Sequence, residues 1–208
     1  MKPATKKSKS VDINLNTLNA TVRKLRNVIN DQNAHRMNLS TVIGYLGELV
    51  VLAKLHKEGM ICRMKANQSG YDIECPDDNI KIDVKASRCK DEFIKQIGCH
   101  NWGWALKHEN KKKPITCTHF VCVQFDANLE VIKYYVIPVN ALKRFPKGVG
   151  QFGGVQNAFA VFPNTEITGY HKNYKKLFEK SISLLNDPRS VRKVKSNGSL
   201  SKVLKRYE

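Results

Sequence analysis

Apolar and polar positions alternate with a period of two between Ile80 and Ser87. Ile80, Ile82, Val84 and Ala86 fall on one side, and Lys81, Asp83, Lys85 and Ser87 on the other. This is the pattern of a strand with one buried face. Shorter runs of strand character occupy residues 60–65 and 71–75. Residues 118–125 and 131–138 read as two strands of a hairpin joined by the turn "DANLE". Trp102, Trp104 and Leu106 alternate in the same way, which predicts a further strand over 101–108.

Helical spacing appears at both ends of this strand-rich stretch. Leu15, Leu18, Val22, Leu25, Val28 and Ile29 predict a helix within residues 13–35, with Arg23, Lys24 and Arg26 on its polar side. Ser40 to Gly59 predicts a second helix, with Ser40 as N-cap and Gly59 as stop. It is apolar on two stripes, one through Val42, Leu46, Leu49, Val50 and Ala53, the other through Tyr45, Leu52 and Leu55. A helix apolar on most sides is buried on most sides, yet Glu48 lies in the second stripe. A short helix is expected at "VNALKRF". Residues 145–169 read as loop with one short strand near 158–162, and 171–186 as a helix. This order predicts one α/β domain with a mixed central sheet flanked by helices over residues 13–187. Flanking it are a basic arm at 1–12 and a basic tail at 188–208 that is disordered or folds on a polyanion.

Charge changes the picture. Thirty-six Lys and Arg against eighteen Asp and Glu give a net charge of +18. Such a field favours polyanions, nucleic acid first among them. No run approaches the roughly 20 apolar residues of a membrane span, and no apolar segment follows the basic N-terminus as in a secretory signal. A soluble cytoplasmic or nucleoid-associated protein is expected. The six cysteines form no CxxC pair and several fall in expected strands, so reduced thiols are anticipated. The run Lys111, Lys112, Lys113 and the tail residues Arg192, Lys193 and Lys195 are candidate phosphate contacts. The tryptophans at 102 and 104 read as core residues before base-stacking ones.

The acidic residues carry the candidate chemistry. Asp83 and Lys85 share one face of their strand. Asp72 comes beside them if the two strands pair through "CPDDN", and Glu48 projects from a helix that must pack on this sheet. Taken singly, each has an ordinary reading: Asp-x-Lys as a solvated pair, Asp72 as a turn residue, Glu48 as a buried acid paired with an arginine. Taken together, three carboxylates repel one another and are costly to desolvate, a conflict that a hard divalent cation resolves.

Glu48 in "GYLGELVVLAKL", Asp72 in "SGYDI" and Asp83-Val84-Lys85 in "IDVKAS" follow the order helix Glu, strand Asp, strand Asp-x-Lys. That order resembles the PD-(D/E)XK, or restriction-endonuclease-like, nuclease superfamily over roughly residues 40–138. No proline precedes Asp72, where the family's name would place one. The resemblance implies an αβββαβ core and a metal-dependent endonuclease that hydrolyses DNA. By the same resemblance, Asp72 and Asp83 hold Mg²⁺ with the Val84 carbonyl, and Mn²⁺ can substitute. Glu48 holds a second ion or its water, and Lys85 acts on the attacking water. A site-specific, restriction-type enzyme is the first expectation, a Holliday-junction resolvase the second, each as a homodimer on double-stranded or branched DNA. A non-catalytic DNA- or RNA-binding protein is the rival.

Overall fold

The computed structural model describes residues 14–30, 39–65, 70–88, 102–108, 115–144, 147–149 and 155–161, together with Leu200 and Leu204. Two helices come first, α1 (Leu15–Asn30) and α2 (Leu39–Lys57). The strands β1 (Arg63–Met64), β2 (Ile73–Cys75) and β3 (Ile80–Arg88) follow. Then come β4 (Trp102–His108), β5 (His119–Phe125) and β6 (Val131–Pro138). A 3-10 turn covers Val139–Arg144 before β7 (Lys147–Val149) and β8 (Val155–Val161).

A five-stranded sheet runs β1-β2-β3-β5-β6, and a three-stranded sheet runs β4-β8-β7. Within the first sheet β3 and β5 are parallel and the remaining neighbours antiparallel, so the sheet is mixed. Thr118 fixes the parallel register. Its Oγ1 accepts from the Lys81 amide at 2.9 Å and donates to the Lys81 carbonyl at 2.9 Å. The fully buried β5 lies at the heart of the molecule, apolar on both faces apart from His119 and Gln124.

Those two faces feed two cores. Val84, Ile82 and Ile80 of β3 and Val121, Val123 and Phe125 of β5 face the helices, meeting Leu46, Val50, Leu52 and Leu55 of α2. On the other face Phe120 and Cys122 of β5 pack with Trp104 and Leu106 of β4 and Ile137 of β6. Trp104 is a core residue; its Nε1 donates to the Val123 carbonyl at 3.3 Å and its ring lies 5.7 Å from that of Tyr135.

The end of α2 follows from one glycine. Gly59 adopts φ +82°, its amide donates to the His56 carbonyl and the Met60 amide to the Leu55 carbonyl, both at 3.0 Å. This is the paired bonding that closes a helix through a left-handed residue, with Met60 and Leu55 in apolar register.

Several expectations change. α2 starts at Leu39, so Ser40 lies inside the helix. Tyr45 is 47% exposed rather than part of a buried stripe, and Val28 is 43% exposed on α1. The segment read as loop with one strand holds β7 and β8, paired antiparallel with each other. Leu200 and Leu204, in the segment expected to be a free basic tail, are helical and buried in the main core. Their i, i+4 spacing gives one apolar face, which the surrounding cations obscure. Cys62 and Cys75 form a disulfide, correcting the expectation of uniformly reduced thiols. The pairing Arg63↔Glu74 makes the two cysteines direct cross-strand neighbours, with Cα atoms 4.1 Å apart. Cys117 and Cys122 are free and buried. The expected helix at 171–186 lies outside the described residues. No helix among those described is long and apolar enough to cross a membrane.

α2 crosses β3 at Gly47, where a Cβ would come within 2.6 Å of the Ala86 Cβ. One turn away, Gly44 has no such neighbour within 4 Å. Gly47→Ala is expected to lift α2 off the sheet and lower unfolding free energy by about 1–3 kcal/mol. Gly44→Ala should raise it by about 0.5–1 kcal/mol through helix propensity. Urea denaturation of the two variants checks this; equal stabilisation by both would place the helix–sheet crossing elsewhere.

Candidate functional site

The strands β2 and β3 form an antiparallel hairpin whose register pairs Ile73 with Ile82. The turn is a 3-10 turn at Pro76–Asp78, closed by Asn79 in the left-handed region at φ 53°. Asp72 immediately precedes the Ile73–Ile82 pair, and its carboxylate lies near enough to Asp83 to raise that group's proton affinity. Like charges held this close repel each other. Asp72 is also where β2 leaves the ladder. Its amide still donates to the Ile82 carbonyl at 2.8 Å. The next amide of β3, that of Val84, is taken by the Asp72 side chain, donating to Oδ2 at 2.7 Å.

Gly70 steers the chain into this position. It adopts φ +70°, and a Cβ there would lie 2.5 Å from Thr116 Oγ1. Thr116 immediately precedes Cys117 at the entrance to β5, so Asp72 is held against both β3 and this segment. Beyond Asp72, Glu74 draws in Arg63 at 2.9 Å and Lys65 at 3.1 Å, and its carboxyl lies below the usual range because of those cations. Lys81 sits 5.2 Å from the centre of the Tyr71 ring. The acidic centre therefore has a basic margin.

Asp83 and Lys85 lie on the face of β3 that continues into Phe120 and Cys122 of β5, through the pairings Asp83↔Phe120 and Lys85↔Cys122. Their side chains form a half-buried ion pair. Glu48 reaches the same field from α2 on the helix side. Its carboxyl makes no hydrogen bond or ion pair among the described residues. The expected alternative, a structural arginine partner, is thus not seen there.

The electrostatics tie the four groups together. Burial pushes the Glu48 carboxyl from 4.5 up to about 7, with Asp72 and then Asp83 adding to the rise and Lys85 opposing it. Asp72 is raised by burial against the opposing pull of the Val84 amide and Lys85. Burial also raises Asp83, opposed by Lys85. Burial works to lower the Lys85 ammonium, but Asp83 and Asp72 outweigh it and hold the group above its ordinary value, so it stays protonated. Cys117, pushed up to about 12 by burial and the nearby Asp83, and Cys122, raised by burial, are inert thiols beneath the pair.

A divalent cation is tested by this donor set. Among the described residues no three His, Cys, Asp or Glu side chains are gathered tightly enough to ligate one ion as they stand. Magnesium does not require that: it commonly takes one or two carboxylates and completes its octahedron with water and phosphate oxygens. Two neighbouring, desolvated aspartates with a third carboxylate in their field are hard oxygen donors whose mutual repulsion a cation would relieve. The chemistry of the set fits.

The structure thus brings Glu48, Asp72, Asp83 and Lys85 into one electrostatic unit. Val84 enters through its amide, a role that the alternation of side chains could not reveal. Cys117 and Cys122 were missed as neighbours because only the β3–β5 register places them there. Lys111, Lys112, Lys113, Arg192, Lys193 and Lys195 lie outside the described residues. No protein-family model matches the chain, and no curated protein matches it.

Glu48 supplies a test of the unit. A carboxyl whose pKa is raised on folding holds its proton more tightly in the folded state. Its stabilising contribution is present at low pH and lost as pH climbs from 4.5 towards about 7. In EDTA, Glu48→Gln is therefore expected to melt at a higher temperature than wild type at pH 8, with the gap closing by pH 5. Thermal unfolding at both pH values measures it; a variant less stable at both would give Glu48 a structural partner instead.

Proposed function

We propose that the chain is a metal-dependent endodeoxyribonuclease with a restriction-endonuclease-like core. The single observation that supports this most is the proximity of Asp72 to the Asp83–Lys85 pair, with Glu48 in the same field. A charge of +18 makes a phosphodiester the substrate that would meet those groups. The order of elements, a helix bearing the glutamate and then three strands bearing the rest, agrees with the resemblance in the sequence.

Asp72 and Asp83 would hold Mg²⁺, or Mn²⁺ in its place. A divalent ion bound there neutralises charge on the scissile phosphate and makes water more acidic. The chain's own groups do the remainder. Asp72 is preset by the Val84 amide, so it needs no reorganisation to present its other oxygen. Lys85, kept protonated by Asp83, donates to the attacked phosphate or orients the incoming water; while so paired it is not the base. Glu48, raised by burial and by the neighbouring aspartates, would hold a water or a second ion beside them.

A restriction-type enzyme acting as a homodimer is the first form of this reading and a junction resolvase the second, since both use this chemistry on duplex or branched DNA. We place the protein in the cytoplasm or on the nucleoid, where DNA is. The Cys62–Cys75 disulfide joins β1 to β2 rather than β2 to β3.

Asp83→Asn removes a carboxylate while keeping its size. Incubating a plasmid and a four-way junction with wild type and variant, in Mg²⁺ and in EDTA, tests the proposal. Cleavage by wild type in Mg²⁺ alone is expected, with the variant slowed by at least about a hundredfold, near 2.7 kcal/mol in the barrier, while DNA binding is kept. Equal cleavage by both proteins, or cleavage in EDTA, would contradict it.

A further inference from the structure

A second cationic feature stands apart from the four acidic-site residues. A cavity of about 400 Å³ opens between α1, α2 and β6, and none of Glu48, Asp72, Asp83 or Lys85 lines it. Four cations do: Arg23 and Arg26 from α1, Lys54 and Lys57 from α2. No carboxylate is among its lining residues. The wall is otherwise largely apolar, with Val50 on one side and the Tyr134 ring of β6 on the other.

Two of these cations are built into the structure. Lys54 is only 6% exposed, a depth at which lysine is rare, and its ammonium is 2.7 Å from Glu58. Arg26 spans from α1 to the β5–β6 turn, where its Nη1 donates to Glu130 at 2.6 Å. Its Nε is buried without an acceptor. Glu58 and Glu130, neither of which lines the cavity, hold the two side chains in place and offset part of their charge, leaving Arg26 Nε as a buried donor without an acceptor. Arg23 and Lys57 add exposed cations at the rim.

We propose that this cleft binds one nucleotide, with the phosphate against the four cations and the base against Tyr134. The volume lies in the range of small-ligand sites. Cations together favour phosphate oxygens, and an aromatic ring beside an apolar wall accepts any base by its face. The nucleotide comes from one of two sources, a free mononucleotide or the phosphorylated end of a DNA strand. The site is independent of hydrolysis.

Calorimetric titration in EDTA tests this with deoxyadenosine monophosphate, deoxyadenosine and a 5′-phosphorylated single-stranded tetranucleotide. The variants are Arg23→Glu/Lys57→Glu and the milder Arg23→Gln/Lys57→Gln, both on exposed positions, with circular dichroism to verify folding. At least one phosphorylated ligand is expected to bind wild type, deoxyadenosine to bind at least tenfold more weakly, and the charge reversal to cost at least tenfold. The neutral pair should fall between. The tighter of the two phosphorylated ligands identifies the source. Asp83→Asn should bind as wild type does, separating this cleft from the acidic site. No binding of either phosphorylated ligand at millimolar concentration, or equal binding by wild type and the folded charge reversal, would overturn the proposal.

Discussion

The Asp72 carboxyl is held to the Val84 amide at the end of the β2–β3 ladder, close to Asp83, and the rest of the site depends on that placement. A single-residue slip of the hairpin would take Asp72 off the Val84 amide. Three features prevent the slip. The turn through Asn79 fixes the hairpin length, Ile73 and Ile82 must both enter the core, and the Asp72 carboxyl claims the Val84 amide that a continuing strand would have used. The fold therefore invests its pairing energy in bringing two like charges together.

What balances that repulsion is distributed. Lys85 neutralises Asp83 directly, the Val84 amide steadies Asp72, and Glu48 is left to respond by a raised proton affinity. α2 carries Glu48 close because Gly47 lets the helix ride on Ala86 without a Cβ between them. The second sheet closes the opposite face over Phe120 and Cys122. Half-buried carboxylates between two apolar layers have little water to share, which makes a cation or a proton the natural partner.

Much of this was legible in the chain. The alternation from Ile80 to Ser87 fixed which residues share a face with Asp83, and the continuous apolar character of α2 announced its burial. Gly59 marked the helix stop, and its positive φ is what closes the helix. What stayed hidden depended on long-range register or on masking by charge. Cys62 and Cys75 become neighbours only when β1 pairs with β2. β7 and β8 carry glycine, glutamine and asparagine, which weaken any periodic signal. Leu200 and Leu204 sit among lysines that made their segment look free. Tyr45 fits an apolar stripe by spacing, but the described neighbours leave that side of α2 open.

The central claim is that Asp72 and Asp83 form a cation site. Titration of Mn²⁺ followed by electron paramagnetic resonance, on wild type, Asp72→Asn and Asp83→Asn at pH 8, measures it most directly. The account predicts a bound Mn²⁺ in wild type, displaced by Mg²⁺, with affinity reduced at least tenfold in each variant. Equal Mn²⁺ affinity in all three folded proteins would contradict it.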